Sequence, residues 1–139
     1  MLDVRLMLGD REAQTLALID TGSPRTIFPR GIGDLLGIEF PQFKSDASTI
    51  ITMLGGDYPA LTETVMLQLH PAKGSLPWEA EADFVFDDDL PYAVLGYEGF
   101  FNHWAVLVNG YGAYFVLEEL EDYEERPGVI AALTARPPG

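Results

Sequence analysis

The sequence predicts an all-β domain, a closed β-barrel with one short α-helix. Two segments alternate with the period of a strand that has one buried face: residues 2–8 set Leu2, Val4, Leu6 and Leu8 against Asp3, Arg5 and Met7, and residues 78–86 carry Trp78, Ala80, Ala82, Phe84 and Phe86 at every second position. Other apolar runs come in pairs around glycine-bearing turns, which is the pattern of antiparallel hairpins. A chain of 139 residues, 47% hydrophobic and 12% aromatic, is the size of one domain around a single core. Closing the sheet on itself buries those alternating faces.

In order along the chain, residues 2–8 form a half-buried strand, Gly9-Asp10-Arg11-Glu12 a turn and residues 13–19 the return strand. Its last four residues, Leu16, Ala17, Leu18 and Ile19, are an apolar run expected to be buried. Thr26-Ile27-Phe28-Pro29 is a short strand stopped by proline, residues 31–37 hold one helical turn, and residues 38–44 are a loop with aromatic anchors at Phe40 and Phe43. Thr49-Ile50-Ile51-Thr52 is β-branched and strand-forming. It runs through Met53 and Leu54 to Gly55, Gly56, Asp57 and Tyr58, and residues 62–69 return with Val65, Leu67 and Leu69 on one face: a hairpin with a Gly-Gly tip. A Pro/Gly loop over residues 70–77 precedes the strand at 78–86. Asp87-Asp88-Asp89 reads as a solvated turn, because adjacent carboxylates lack the spaced ligands and glycine of a calcium loop.

The chemistry sits at the end of the second strand. The apolar run stops at Asp20, followed by Thr21, Gly22 and Ser23 before apolar residues resume at Ile27 and Phe28. A glycine able to turn sharply and two short hydroxyl side chains can hold a carboxylate in place by hydrogen bonds. The same four residues also make an ordinary turn. Further on, Ala93-Val94-Leu95 runs into Gly96, an aromatic segment of helical length follows, and residues 105–108 and 113–117 flank Asn109-Gly110-Tyr111-Gly112 as a closing hairpin.

In order and spacing these stretches resemble the retropepsin-like aspartic proteases over most of the chain, from Val4 to Leu117. The resemblance implies a retropepsin-like barrel at residues 1–117 with an acidic tail at 118–139. It implies that Asp20, Thr21, Gly22 and Ser23 form the acid loop, with Thr21 bonding across a dimer axis and Ser23 donating to an outer carboxylate oxygen. Val94, Leu95 and Gly96 would support that loop, the short helix would follow them, and residues 53–58 would be the flap over a polypeptide substrate. Viral members place an arginine directly after the apolar-apolar-Gly motif, where this chain has Tyr97 and Glu98.

Hydrolysing an amide with carboxylates alone takes two around one water, one ionised to remove a proton and one protonated to donate to the carbonyl oxygen. The chain has one Asp-Thr-Gly and no internal duplicate, so an enzyme of this class is expected to be a two-fold homodimer pairing Asp20 of each subunit. Two other readings share the same residues: an inactive peptide-binding module on this fold, and a structural β-domain in which Asp20 only holds a turn.

Composition narrows the partners. Asp and Glu total 22 against 8 Lys and Arg, a formal charge of −14 that repels phosphate backbones and anionic membrane surfaces, so neither nucleic acid nor membrane is an expected partner. There is no cysteine, and His70 and His103 have no zinc spacing; neither a metal nor a cofactor is expected. Charged residues at Asp3, Arg5 and Asp10 interrupt any signal-peptide core, and no apolar run approaches the ~20 residues of a membrane helix, giving the expectation of a cytoplasmic protein. In the tail, Glu118 to Glu125 is strongly acidic, and residues 129–136 are expected to form a short helix beyond Pro127-Gly128.

Overall fold

A computed structural model describes residues 1–53, 55–88, 90–109 and 114–119. The chain divides into two units, Met1–Phe100 and Phe101–Gly139. In the first, β1 (Leu2–Leu8) and β2 (Arg11–Ile19) form the expected opening hairpin, in antiparallel register from Leu2 opposite Ala17 to Leu8 opposite Arg11. Then come β3 (Ile27–Phe28), the helix α1 (Arg30–Leu35), β4 (Thr49–Met53), β5 (Gly56–Leu69), β6 (Trp78–Val85) and β7 (Ala93–Leu95). In the second unit, β8 (Trp104–Asn109) and β9 (Tyr114–Glu119) make a two-stranded antiparallel sheet, the expected closing hairpin.

The strand order in the first unit is β1-β2-β7-β3-β6-β5-β4, and β1 also pairs with β5. That extra pairing closes six strands into a barrel and leaves β4 outside the ring, paired among the described residues with β5 alone. The strand periodicity explains the closure. Leu2, Val4 and Leu6 of β1 point inward, as do Val65, Leu67 and Leu69 of β5, and the two strands pair from Val4 opposite Leu69 to Met7 opposite Met66. Phe28 and Phe84 stack across the interior at 5.6 Å between ring centroids, and both are fully buried. α1 lies beside β6: Arg30 sits 4.6 Å over the Phe40 ring and donates to the Phe86 carbonyl at 3.0 Å.

Several expectations are corrected. In the apolar run of β2 only Ala17 is buried, while Leu16 is 55% and Leu18 37% exposed, because these two occupy the outward register of a strand whose inner face is lined by small residues. β5 begins at Gly56, six residues before the expected return strand, and includes Pro59 opposite Ile50. The missing N–H of Pro59 is tolerated there, and its carbonyl accepts from Phe86 N–H at 2.9 Å. The segment after Gly96 is a run of turns with no helix. Gly99 takes φ +95° where a Cβ would come within 2.7 Å of the Glu81 carbonyl, and Trp78 Nε1 donates to the Gly99 carbonyl at 2.9 Å. The short helix is instead α1, in the 31–37 stretch. Asp87 is ion-paired to Lys44 at 2.7 Å. Leu54, Asp89, the 110–113 turn and the tail after Glu119 lie outside the described residues. Among the described residues no helix is long and apolar enough to cross a membrane.

Candidate functional site

Strand order decides the shape of the acid loop. β2 and β3 are consecutive in sequence, yet β7 lies between them, parallel to β2 (Ile19 opposite Leu95) and antiparallel to β3 (Ile27 opposite Val94). The connection from β2 to β3 must therefore arch over the end of β7. Asp20 N–H makes the last link to β7, donating to the Leu95 carbonyl at 3.0 Å. The chain then turns back on itself. The Asp20 carbonyl accepts from Ser23 N–H at 3.2 Å, and the Asp20 side chain accepts from Gly22 N–H at 2.9 Å through Oδ1. This is the self-capped turn that an Asp-x-Gly sequence favours, and it fixes the carboxylate while leaving it exposed.

The residues after Leu95 close around the loop from the other side. Tyr97 N–H donates to the Ser23 carbonyl at 2.9 Å and Glu98 N–H to the Pro24 carbonyl at 3.0 Å. Gly96 N–H donates to the hydroxyl of Thr26, a fully buried residue, at 3.1 Å. Gly96 is dictated by this approach: a Cβ there would lie 2.1 Å from the Arg25 carbonyl oxygen and 2.6 Å from that of Ser23. Gly96→Ala is accordingly expected to destabilise the protein by about 3 kcal/mol through overpacking against rigid backbone. Urea denaturation of the variant beside the parent checks it, and an unchanged midpoint would contradict the close approach.

Ser23 differs from expectation. Its hydroxyl proton goes to the Arg25 carbonyl at 2.7 Å, so in this chain the donor to Asp20 is the Gly22 amide. Thr21 is exposed at the tip of the loop.

Asp20, Gly22 and Ser23 line a groove of about 490 Å³, within the range of small-ligand and peptide sites. One wall is every residue of β4, from Thr49 to Met53; the floor is Ile27 and Val94, with Tyr92, Pro24 and Arg25 completing it. Acid loop and hairpin, remote from each other in sequence, thus share one cavity. Val94 lines the groove, whereas Leu95 and Gly96 do not: the Leu95 carbonyl accepts from Asp20 N–H and Gly96 N–H donates to Thr26 Oγ1. Of the hairpin-tip residues, Met53 alone lines the groove among those described. Gly55, Gly56, Asp57 and Tyr58 do not; Tyr58 packs with Met53 and Tyr92 against the core cluster of Ile27, Ile51, Ala60, Val85, Leu90 and Val94. Asp57 accepts from Thr52 Oγ1 across the hairpin at 2.8 Å.

The groove also contains residues that sequence reasoning did not single out, Arg25 foremost. Its Nε and Nη2 donate to the two carboxylate oxygens of Asp83 at 2.8 and 2.7 Å, and Thr62 Oγ1 adds a bond to Oδ1 at 2.7 Å. Asp83 is fully buried. The hydrogen bond that Arg25 donates to Asp83 first, then the negative charges of Asp83, Glu81 and Glu98, raise the Arg25 pKa above its ordinary value against an opposing effect of burial. Arg25 was visible in sequence as a cation close behind the acid motif. Nothing marked Asp83, which occupies the outward register of an alternating strand. Among the described residues no three His, Cys, Asp or Glu side chains converge as a metal site.

No protein-family model and no curated protein matches the chain. Among solved structures the chain is similar to one described as EIAV protease complexed with the inhibitor HBY-793, at 17% identity and a TM-score of 0.47, covering 68% of this chain and 77% of that one.

Proposed function

We propose that this protein is an aspartic endopeptidase whose active form is a homodimer. The observation that carries the reading is the sharing of one groove by a fixed, exposed carboxylate and a free strand edge. Asp20 is held by its own turn and by β7. Among the described residues β4 pairs with β5 only, so its other edge has backbone groups available along the groove wall. An extended peptide laid against β4 gains main-chain hydrogen bonds as an added strand, and Ile27, Ile50 and Val94 offer apolar contacts to alternate side chains. Such binding carries a backbone amide past Asp20.

One carboxylate is half of the machinery. Two close carboxylates cannot both be ionised, so a pair shares a proton and titrates as a unit, one member activating water while the other protonates the carbonyl oxygen. The second carboxylate is Asp20 of a second copy, brought up across a two-fold axis. Thr21, exposed in the acid loop, is the residue this reading assigns to bond across that axis. Hydrolysis adds water across the C–N bond through a tetrahedral intermediate, with the proton taken by one carboxylate returned to the leaving amine.

The test is cleavage of a mixed peptide library from about pH 3 to 7, the range over which a carboxylate pair holds one proton, with the oligomer sized at the assay concentration. Cleavage by the dimer, lost on dilution to monomer, is the expected result. A confirmed dimer that cleaves nothing across the range would overturn the proposal and leave a peptide-binding groove without catalysis.

A further inference from the structure

Stability alone does not account for a carboxylate at Asp83. Its neighbours Ala82, Phe84 and Val85 are apolar and buried, and an apolar side chain in place of a buried ion pair often serves a fold as well or better. What the carboxylate supplies is direction. Arg25 donates to it through Nε at 2.8 Å and Nη2 at 2.7 Å, and Thr62 Oγ1 donates at 2.7 Å, so three directed bonds meet on one fully buried group.

Each of these partners leads to one half of the groove. On the acid side, the Arg25 carbonyl accepts from the Ser23 hydroxyl at 2.7 Å, and Ser23 N–H closes the turn on the Asp20 carbonyl at 3.2 Å. On the other side, Thr62 N–H donates to Ser48 Oγ at 2.8 Å, and Ser48 immediately precedes β4. Hydrogen bonds thus connect the root of β4 through Thr62, Asp83 and Arg25 to the turn that holds Asp20. β4 needs such a tie. It lies outside the closed ring and pairs, among the described residues, with β5 alone, so barrel closure does not set its distance from Asp20. The packing of Ile51 against Ile27 and Val94 holds it in place, but apolar contact is not directional.

Resting on the reading of this groove as a peptide-cleavage site, we infer that Thr62 and Asp83 are positioning residues, acting through Ser48 and Arg25 to hold a peptide on β4 at the distance from Asp20 that its scissile carbonyl requires. Affinity comes from the strand edge and the apolar floor, to which Thr62 contributes no surface. Cleavage depends on the approach of the reacting groups, where a displacement of ~1 Å can cost about a hundredfold. Loosening the tie is therefore felt in kcat rather than in KM.

The test is Thr62→Val, which keeps the shape and loses the hydroxyl, beside Thr62→Ser, which keeps the hydroxyl, in steady-state cleavage of one peptide by protein sized as a dimer. Melting curves establish that each variant is folded at the assay temperature. Thr62→Val is expected to lose about tenfold in kcat with KM within about twofold of the parent, and Thr62→Ser to recover most of that loss. Ser48→Ala removes the acceptor at the exposed end of the series, leaves the buried charge untouched and is expected to lower kcat in the same way. A role confined to stability would lower the melting temperature and leave both constants of the folded enzyme as they are. An unchanged kcat in either folded variant that breaks the series, a loss carried by KM alone, or a fall that Thr62→Ser shares each overturns the assignment while leaving the peptidase reading intact. A parent dimer that cleaves no peptide overturns that reading and the assignment together.

Discussion

Asp20→Asn is expected to abolish peptide cleavage, a loss of about ten-thousand-fold in kcat/KM, while leaving the fold untouched. The two halves of this expectation have separate causes. The carboxylate is exposed, and among the described residues the one hydrogen bond its side chain accepts comes from Gly22 N–H at 2.9 Å. An Asn carbonyl oxygen can accept that bond equally well, so the turn survives and the stability change stays within about 0.5 kcal/mol. The amide can neither take a proton from water nor share one with a second carboxylate, so the chemistry stops. Melting curves that overlay, together with a progress curve at background, are the expected pair of measurements. Retained cleavage would remove Asp20 from the mechanism. Loss of both fold and cleavage would make its role structural.

The largest effect on stability is expected at the Arg25–Asp83 pair. Asp83 is fully buried, and its charge is balanced by the bidentate contact from Arg25 and by the Thr62 hydroxyl. Arg25→Met leaves an ionised carboxylate in the barrel wall with the Thr62 hydroxyl as its remaining side-chain partner among the described residues, and the expected loss is about 3–5 kcal/mol. That is a large share of the roughly 5–15 kcal/mol by which domains are stable. Replacing both residues together by Met and Leu removes the buried charge as well as its partner, so the double variant is expected to be far closer to the parent than either single one. Urea denaturation of the four proteins completes the cycle. Repeating it in high salt is expected to change the coupling little, since a buried pair is poorly screened. Additive losses would show that the pair does not act as a unit. The network links the segment just after the acid loop to β6 and β5, so destabilisation is felt where Asp20 is held.

Much of this organisation was legible in the linear chain. The period-two strands at β1 and β6, the hairpin at β4 and β5 and the turn chemistry of Asp20, Gly22 and Ser23 are local, set by alternation and by which side chains favour a turn within a few residues. Gly96 was identifiable as a glycine after an apolar strand, although the reason for it, the passage of the Arg25 carbonyl, was not. The misplaced helix has the same origin. Residues 97–103 have helical length and aromatic content, but the bonds from Tyr97 to Ser23 and from Glu98 to Pro24 hold this backbone against the acid loop.

By itself the sequence determined the strand-rich class, the position of the one Asp-Thr-Gly motif and the absence of cysteine chemistry, and it set the expectation that an enzyme of the carboxylate class needs a second copy to complete the pair. Tertiary structure alone decided what stands around that acid. Insertion of β7 between β2 and β3 makes the acid loop arch and turns Gly96 into a requirement. Pairing of β5 with both β1 and β6 closes the barrel and, among the described residues, leaves the outer edge of β4 unpaired beside Asp20. The Arg25–Asp83 contact joins residues 58 positions apart, and it buries a carboxylate that the strand pattern had assigned to solvent. Alternation states which side of a strand is polar; what packs against that side depends on neighbours remote in sequence.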